Sequence, residues 1–166
     1  MGGRGVSSGM SGGRSVELYR RFIEGDAFSI HTADESTKRE LDKVFAAATQ
    51  DMHVYKGIPI DENEVNMRGL QQAIKSYSST SMSKVTAEYY ADTAYDIGES
   101  MVPVVVNMII KKGTPIADAR KILGNGGMRE FEKEITVGRG VEYSYSNLRM
   151  VGDRWYVDAV VRRKRR

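Results

Sequence analysis

The chain has 166 residues, 40% of them hydrophobic and 28% charged, which suits one soluble domain with a single core and excludes a wholly disordered chain. It contains no cysteine, which excludes disulfides, thiolate metal sites and cysteine nucleophiles, and its two histidines, His31 and His53, are too few for a zinc centre. The net charge of +3 rests on the basic run Arg162–Arg166; without it the rest is slightly acidic, at −2, so the domain is not a nucleic-acid binder as a whole and only the tail could touch nucleic acid.

Residues 1–14, MGGRGVSSGMSGGR, are Gly/Ser-rich and read as a flexible leader. No apolar stretch follows their charges, so they do not read as a signal peptide. A helix is predicted over Val16–Glu24 with Ser15 as N-cap, then a loop. A second helix is predicted from Asp34 or Ser36 to Gln50, because Leu41, Val44, Phe45 and Ala48 recur at helical spacing. His53–Ile60 reads as a short strand running into a turn at Gly57 and Pro59, and Gly69–Ser76 as a short helix. The Ser/Thr cluster Ser76–Ser83 leads into a helix over Lys84–Tyr95.

From residue 101 the pattern turns to strands. The longest apolar run, Met101–Ile110, is far short of the roughly 20 residues of a membrane-spanning helix and contains Pro103 and Asn107, so Val102–Lys111 fits a buried strand. A turn at Gly113–Pro115, a helical turn around Ile116–Leu123 and a GNGG loop, Gly124–Gly127, follow. Strands are predicted at Glu132–Val137, Val141–Met150 and Arg154–Val161, the last two joined by a Gly152-Asp153 hairpin. Helices first and strands second make the class α+β, with the domain over 15–161 and a basic tail over 162–166.

Three short motifs carry candidate chemistry. Val54-Tyr55-Lys56-Gly57 puts a cation at a strand end, where it could pair with a phosphate, and Gly57 would let a ligand approach the backbone. In Tyr77-Ser78-Ser79-Thr80-Ser81, strand geometry would place Ser79 and Ser81 on one face and Thr80 on the other. In Phe131-Glu132-Lys133-Glu134-Ile135-Thr136-Val137, two carboxylates two residues apart would face the same side of a strand, with Ile135 and Val137 toward the core. Each motif has an ordinary reading as well: a Lys before a turn, a hydroxyl-rich loop or cap, a solvated strand edge.

Their order resembles the Arg-Ser-Glu class of mono-ADP-ribosyltransferases, which includes the enzymatic components of clostridial binary toxins and phage-encoded transferases. In that class a cation-Gly on a strand is followed by aromatic-x-Ser-Thr-Ser and then by Glu-x-Glu behind a loop. The similarity runs from about Val54 to Val141. It implies a helical N-terminal part followed by a mixed or antiparallel two-sheet core. It implies NAD⁺ as substrate, no metal, and a protein acceptor modified at arginine.

By the resemblance, Glu134 is the catalytic glutamate, Glu132 the glutamate that handles the acceptor guanidinium, and Ser79 the serine that positions Glu134. Thr80 and Ser81 complete that motif. Tyr55, Lys56 and Gly57 form the NAD-binding strand end, and Phe131 is the aromatic contact of the substrate-recognition loop. The family has Arg where this chain has Lys56; Arg68, followed by Gly69, is the other candidate cation. The glycine-rich leader resembles, in composition, segments of phage head-associated proteins and phage-linked toxins. The expectation is therefore a toxin or phage-encoded effector, either secreted or injected or acting in the host cytoplasm, with room for an immunity protein. The alternatives are a relative that only binds or hydrolyses NAD⁺, and a non-catalytic virion-associated module.

Overall fold

The computed structural model describes residues 9–74 and 76–165. The helices α1 (Gly9–Ile23), α2 (Ala27–His31) and α3 (Glu35–Asp42) come first, followed by strands β1 (Ala46–Ala47) and β2 (Met52–Asp61). A 3₁₀ turn (Glu62–Glu64), α4 (Met67–Ala73), β3 (Ser78–Ser81), α5 (Lys84–Ala91) and α6 (Ala94–Ile97) make the middle of the chain. The last third holds β4 (Met101–Ile110), β5 (Pro115–Asp118), α7 (Ala119–Leu123), α8 (Arg129–Glu132), β6 (Glu134–Val137), β7 (Val141–Val151) and β8 (Arg154–Arg163). Among the described residues no helix is long and apolar enough to cross a membrane.

The strands run in the order β1-β5-β6-β3-β2-β4-β8-β7. All neighbours are antiparallel except β4 and β8, so the arrangement is mixed. β2 and β3 touch at one pair only, Tyr55 opposite Ser81, and this joint divides the order into two four-stranded halves. The main core packs Val104, Val106, Met108 and Ile110 of β4 with Val54, Ile135, Val137 and Val157, and α4 covers it with Leu70. A second core lies under the N-terminal helices, where Leu18, Tyr19 and Phe22 of α1 meet Leu41 of α3 and Ala117 and Ala119.

Several boundaries differ from the sequence expectation. α1 starts at Gly9, so residues 9–14 of the expected leader are helical; residues 1–8 lie outside the described residues. The short helix α2 occupies what read as a loop. α3 begins as expected, with the Asp34 carboxylate accepting from the Thr37 amide at 2.8 Å, but it ends at Asp42 and not near Gln50. Leu41 and Ala48 are still buried, because Ala46 and Ala47 pair with Ile116 and Pro115 and the chain turns inward as strand instead of helix. The same pairing makes Pro115–Asp118 a strand where a helical turn was expected; α7 starts only at Ala119, capped by Asp118. Tertiary pairing here overrides a helical apolar spacing. The Lys84–Tyr95 helix is broken into α5 and α6. The basic tail is shortened too, since Arg162 and Arg163 complete β8.

Gly57 has a packing role that its sequence context concealed. α5 crosses β2 so closely that a Cβ on Gly57 would lie 1.7 Å from the Ala87 carbonyl oxygen. The missing side chain admits a helix, a demand beyond the ligand approach that the sequence suggested. Gly57→Ala should therefore destabilise the fold at or above the upper end of the ~1–3 kcal/mol typical of overpacking. Urea denaturation would read this as a lower midpoint; an unchanged midpoint would mean that α5 can lift off β2 without loss.

Candidate active site

The joint between the two halves opens into a cleft of about 350 Å³. Tyr55, Lys56 and Gly57 line it from β2, Ser79, Thr80 and Ser81 from β3, and Glu132 and Glu134 from the chain around the start of β6. α5 closes one side with Thr86, Ala87 and Tyr90. The three motifs of the sequence thus converge on one space. Two candidates do not line it. Arg68 is exposed on α4, so Lys56 is the cation that the fold brings to the cleft. Phe131 is 41% exposed, and its ring meets the edge of Tyr89 at 5.9 Å.

Glu134 opens β6 opposite Ser81, and Ser79 sits two positions along β3 opposite Thr136. The Glu134 side chain is buried, at 8% exposure. Burial pushes its carboxyl above the ordinary value. The Thr136 and Ser79 hydroxyls and the positive charge of Lys56 pull it back, while Glu132 adds to the rise. Thr136 Oγ1 donates to Glu134 Oε2 at 2.7 Å.

Lys56 donates from Nζ to the Ser79 carbonyl at 2.8 Å. Burial lowers its pKa to about 8, opposed by the charge of Glu134. The ammonium retains two further protons to offer into the cleft.

Glu132 does not share a strand with Glu134. It ends the helical turn α8, and Lys133 follows in the left-handed region at φ 43°. The two carboxylates still line the same cleft, because that sharp reversal turns the chain from helix into strand. Glu132 Oε2 accepts from the Tyr90 hydroxyl at 2.7 Å, and its carbonyl accepts from Ser81 Oγ at 2.5 Å. Thr80 Oγ1 donates to the Ile135 carbonyl at 2.6 Å, pinning β3 to β6. Thr86 Oγ1 donates to the Phe131 carbonyl at 2.8 Å, tying the same loop to α5. Thr80 and Ser81 therefore hold the backbone that carries the glutamates.

The sequence motifs passed over Tyr90, Thr86, Thr136 and Tyr19 as site residues. Thr136 stands two residues from Glu134 in a strand, so the two-residue period could have placed it on the same face. Tyr19 is 117 residues from its partner Thr136, and no local pattern marks it. Among the described residues no group of three or more His, Asp or Glu side chains is placed to hold a metal ion.

A fixed carboxylate with a cation and two hydroxyl donors can stabilise positive charge that develops on a bound substrate beside it. A second carboxylate at the lip, held by a tyrosine, can accept a proton or a cationic group.

No family model matches the sequence, and no curated protein matches it significantly. Solved structures do match the fold. An ADP-ribosyltransferase from Clostridium botulinum superposes with a TM-score of 0.60 at 10% identity, over 89% of this chain and 86% of that one. A protein from S. aureus, solved with NAD, gives 0.58 at 17% identity over 92% and 88%. The ADP-ribosyltransferase Vis, a toxin from Vibrio splendidus solved with agmatine, gives 0.57 at 11% over 90% and 74%. The α+β architecture read from the sequence, and the likeness that its three motifs carry, resolve into one fold, that of the ADP-ribosyltransferases.

Proposed function

We propose that this chain is an NAD⁺-dependent mono-ADP-ribosyltransferase that modifies arginine on a protein. The observation that carries the reading is Glu134, a buried carboxylate at the mouth of an opened sheet, flanked by Ser79, Thr136 and Lys56. Support also comes from the neighbours, one of them solved with NAD and another with agmatine, whose guanidinium is the group that arginine carries.

In this reading Lys56 meets a phosphate of NAD⁺ as a point charge. The bond between the ribose C1′ and nicotinamide breaks with its electron pair leaving on nicotinamide. Glu134 stabilises the positive ribose as the charge develops. A guanidinium nitrogen of the acceptor then bonds to C1′, and Glu132 takes the proton that this nitrogen loses. Phe131 and Tyr89, exposed together at the rim, offer the acceptor an aromatic contact. Incubation with labelled NAD⁺ and a cell lysate tests the whole: nicotinamide release with label on arginine supports it. Label on another residue type would remove the arginine assignment, and no release would remove the activity.

In the same assay Glu132→Gln should lower transfer to arginine by at least about tenfold more than NAD⁺ hydrolysis, at the lower end of what general-base removal costs. Equal losses would place Glu132 on the glycosidic bond instead.

Lys56 predicts a pH dependence. Its pKa is lowered to about 8, so the free protein loses this charge as pH rises through that value. The kcat/KM for NAD⁺ should fall on the basic side near pH 8, and Lys56→Arg should move that limb upward. A limb that Lys56→Arg leaves in place belongs to another group.

Glu134→Gln should cost on the order of 10²–10³ in kcat while stabilising the fold at neutral pH. A carboxyl raised in the folded state favours folding below its unfolded pKa, and that contribution is lost as pH rises through the folded value. The variant's melting temperature should exceed that of the parent at pH 7, by about 2–4 °C per kcal/mol relieved, and the gap should narrow toward pH 4. A variant that melts lower at pH 7 would show the carboxylate to be structural.

A further inference from the structure

Glu134 is backed by a hydroxyl pair, Thr136 and Tyr19, whose second member the catalytic reading does not use. Thr136 is fully buried, shares a strand face with Glu134 and donates to Glu134 Oε2 at 2.7 Å. A threonine hydroxyl carries one proton, so once that proton is committed to the carboxylate the oxygen can only accept. Tyr19, fully buried on α1, brings its hydroxyl to 2.8 Å from Thr136 Oγ1. Its alternative acceptor, the Ala117 carbonyl, is at 3.4 Å. The shorter contact sets the polarity: Tyr19 donates to Thr136, and Thr136 donates to Glu134. With the polarity reversed, Glu134 would lose a donor inside the protein, where an unmet carboxylate is most costly.

We propose that Tyr19 is a positioning residue for Glu134: acting through Thr136, its phenol fixes the direction of hydroxyl donation and so holds the carboxylate charged and in one orientation. This rests on the reading of Glu134 as the working carboxylate. It makes α1, remote in sequence, part of the active-site machinery. Burial, and next the charge of Glu134, push the Tyr19 phenol far up, so it remains a donor throughout the working pH range. The other groups facing this pair are Lys56 from β2, Ser79 from β3, Glu132 from α8 and Tyr90 from α5 around Glu134, and Asp118 from β5 near Tyr19. Ser79 supplies the other hydroxyl bond to Glu134, and the donation from Thr136 is the one that Tyr19 orients.

Tyr19→Phe removes the hydroxyl and keeps the ring, which packs edge-on against Phe45 at 6.1 Å. Thr136→Val removes the donor, and Thr136→Ser retains it. The experiment follows the Glu134 carboxyl by ¹³C NMR in glutamate-labelled protein without NAD⁺, assigned with Glu134→Gln, together with the pH profile of nicotinamide release. Thr136→Val should raise the carboxyl titration by about one pH unit, the size of a hydrogen bond to a charged group. Tyr19→Phe should give a smaller rise with the KM for NAD⁺ unchanged, and the acid limb of kcat/KM should follow in both. Thr136→Ser should titrate as the parent does. In the Thr136→Val background Tyr19→Phe should add nothing. An undiminished Tyr19→Phe shift in that background, or no shift in the single variant, overturns the proposal. A parent protein that releases no nicotinamide defeats the transferase reading, while the NMR titration still decides the coupling.

Discussion

An interrupted strand ladder leaves backbone groups without their usual partners, and β2 and β3 meet at one residue pair, Tyr55 opposite Ser81. Beyond that pair the strands part, and what would have been a continuous sheet becomes two halves with a cleft between them. The Ser79 carbonyl takes its bond from Lys56 Nζ at 2.8 Å, a side chain standing where a neighbouring strand would supply an amide. The same divergence opens the cleft that Ser79 and Glu134 line. α5 follows β3 and lies back over β2, with Gly57 admitting it, so the cleft gains a wall on one side and stays open on the other. Cation, hydroxyls and carboxylate thus meet at one break in the hydrogen-bond pattern.

Burial acts on both charged groups of the cleft in the same sense. It pushes Glu134 up and Lys56 down, each toward its neutral form, and each is drawn back by the charge of the other. No ion pair within 4 Å joins them among the described residues, so the attraction acts across the cleft and leaves space for a ligand. A substrate that displaces water from that space strengthens the attraction between the two charges. Lys in this place differs from Arg in kind: it can lose its proton, whereas a guanidinium stays charged and meets a phosphate with two parallel bonds.

The sequence was most legible where a local period and the tertiary structure agree. β4, β7 and β8 fall close to their expected positions because their side chains alternate between core and outer face, or are apolar on both, whereas β2 runs on through Gly57 and Pro59, where a turn was expected, because β4 pairs with it along its whole length. The three motifs could be read in order because each is short and lies at or beside a strand. The reading failed where a second element decides. Leu41 to Ala48 has helical spacing, yet pairing of Ala46 and Ala47 with β5 ends the helix at Asp42. The packing demand on Gly57 was hidden because nothing in its neighbourhood signals that α5 returns to it. Tyr19 carries no motif at all; its contact with Thr136 arises only when a helix face is docked against β6.

The pair Glu132 and Glu134 shows why a spacing of two residues gave the right destination by the wrong geometry. On a regular strand both carboxylates would project from one face into one environment, and like charges so close would each be costly. Lys133, at φ 43°, breaks that regularity. Glu132 stays on a helical turn at the lip, half-buried and held by Tyr90, while Glu134 enters the sheet, where hydroxyls meet it. A residue with a side chain accepts the left-handed region at some cost. Here that cost is offset by the bonds from Ser81 to the Glu132 carbonyl and from Thr86 to the Phe131 carbonyl before the turn, and from the Met82 amide to the Lys133 carbonyl at it. The hydroxyl-rich segment after Tyr77 thus acts twice: Ser79 turns toward the buried carboxylate, and Ser81 holds the backbone that keeps the other one out of the sheet. Two chemically identical side chains, with a single residue between them, are thereby given different environments, one at the lip and one inside the sheet.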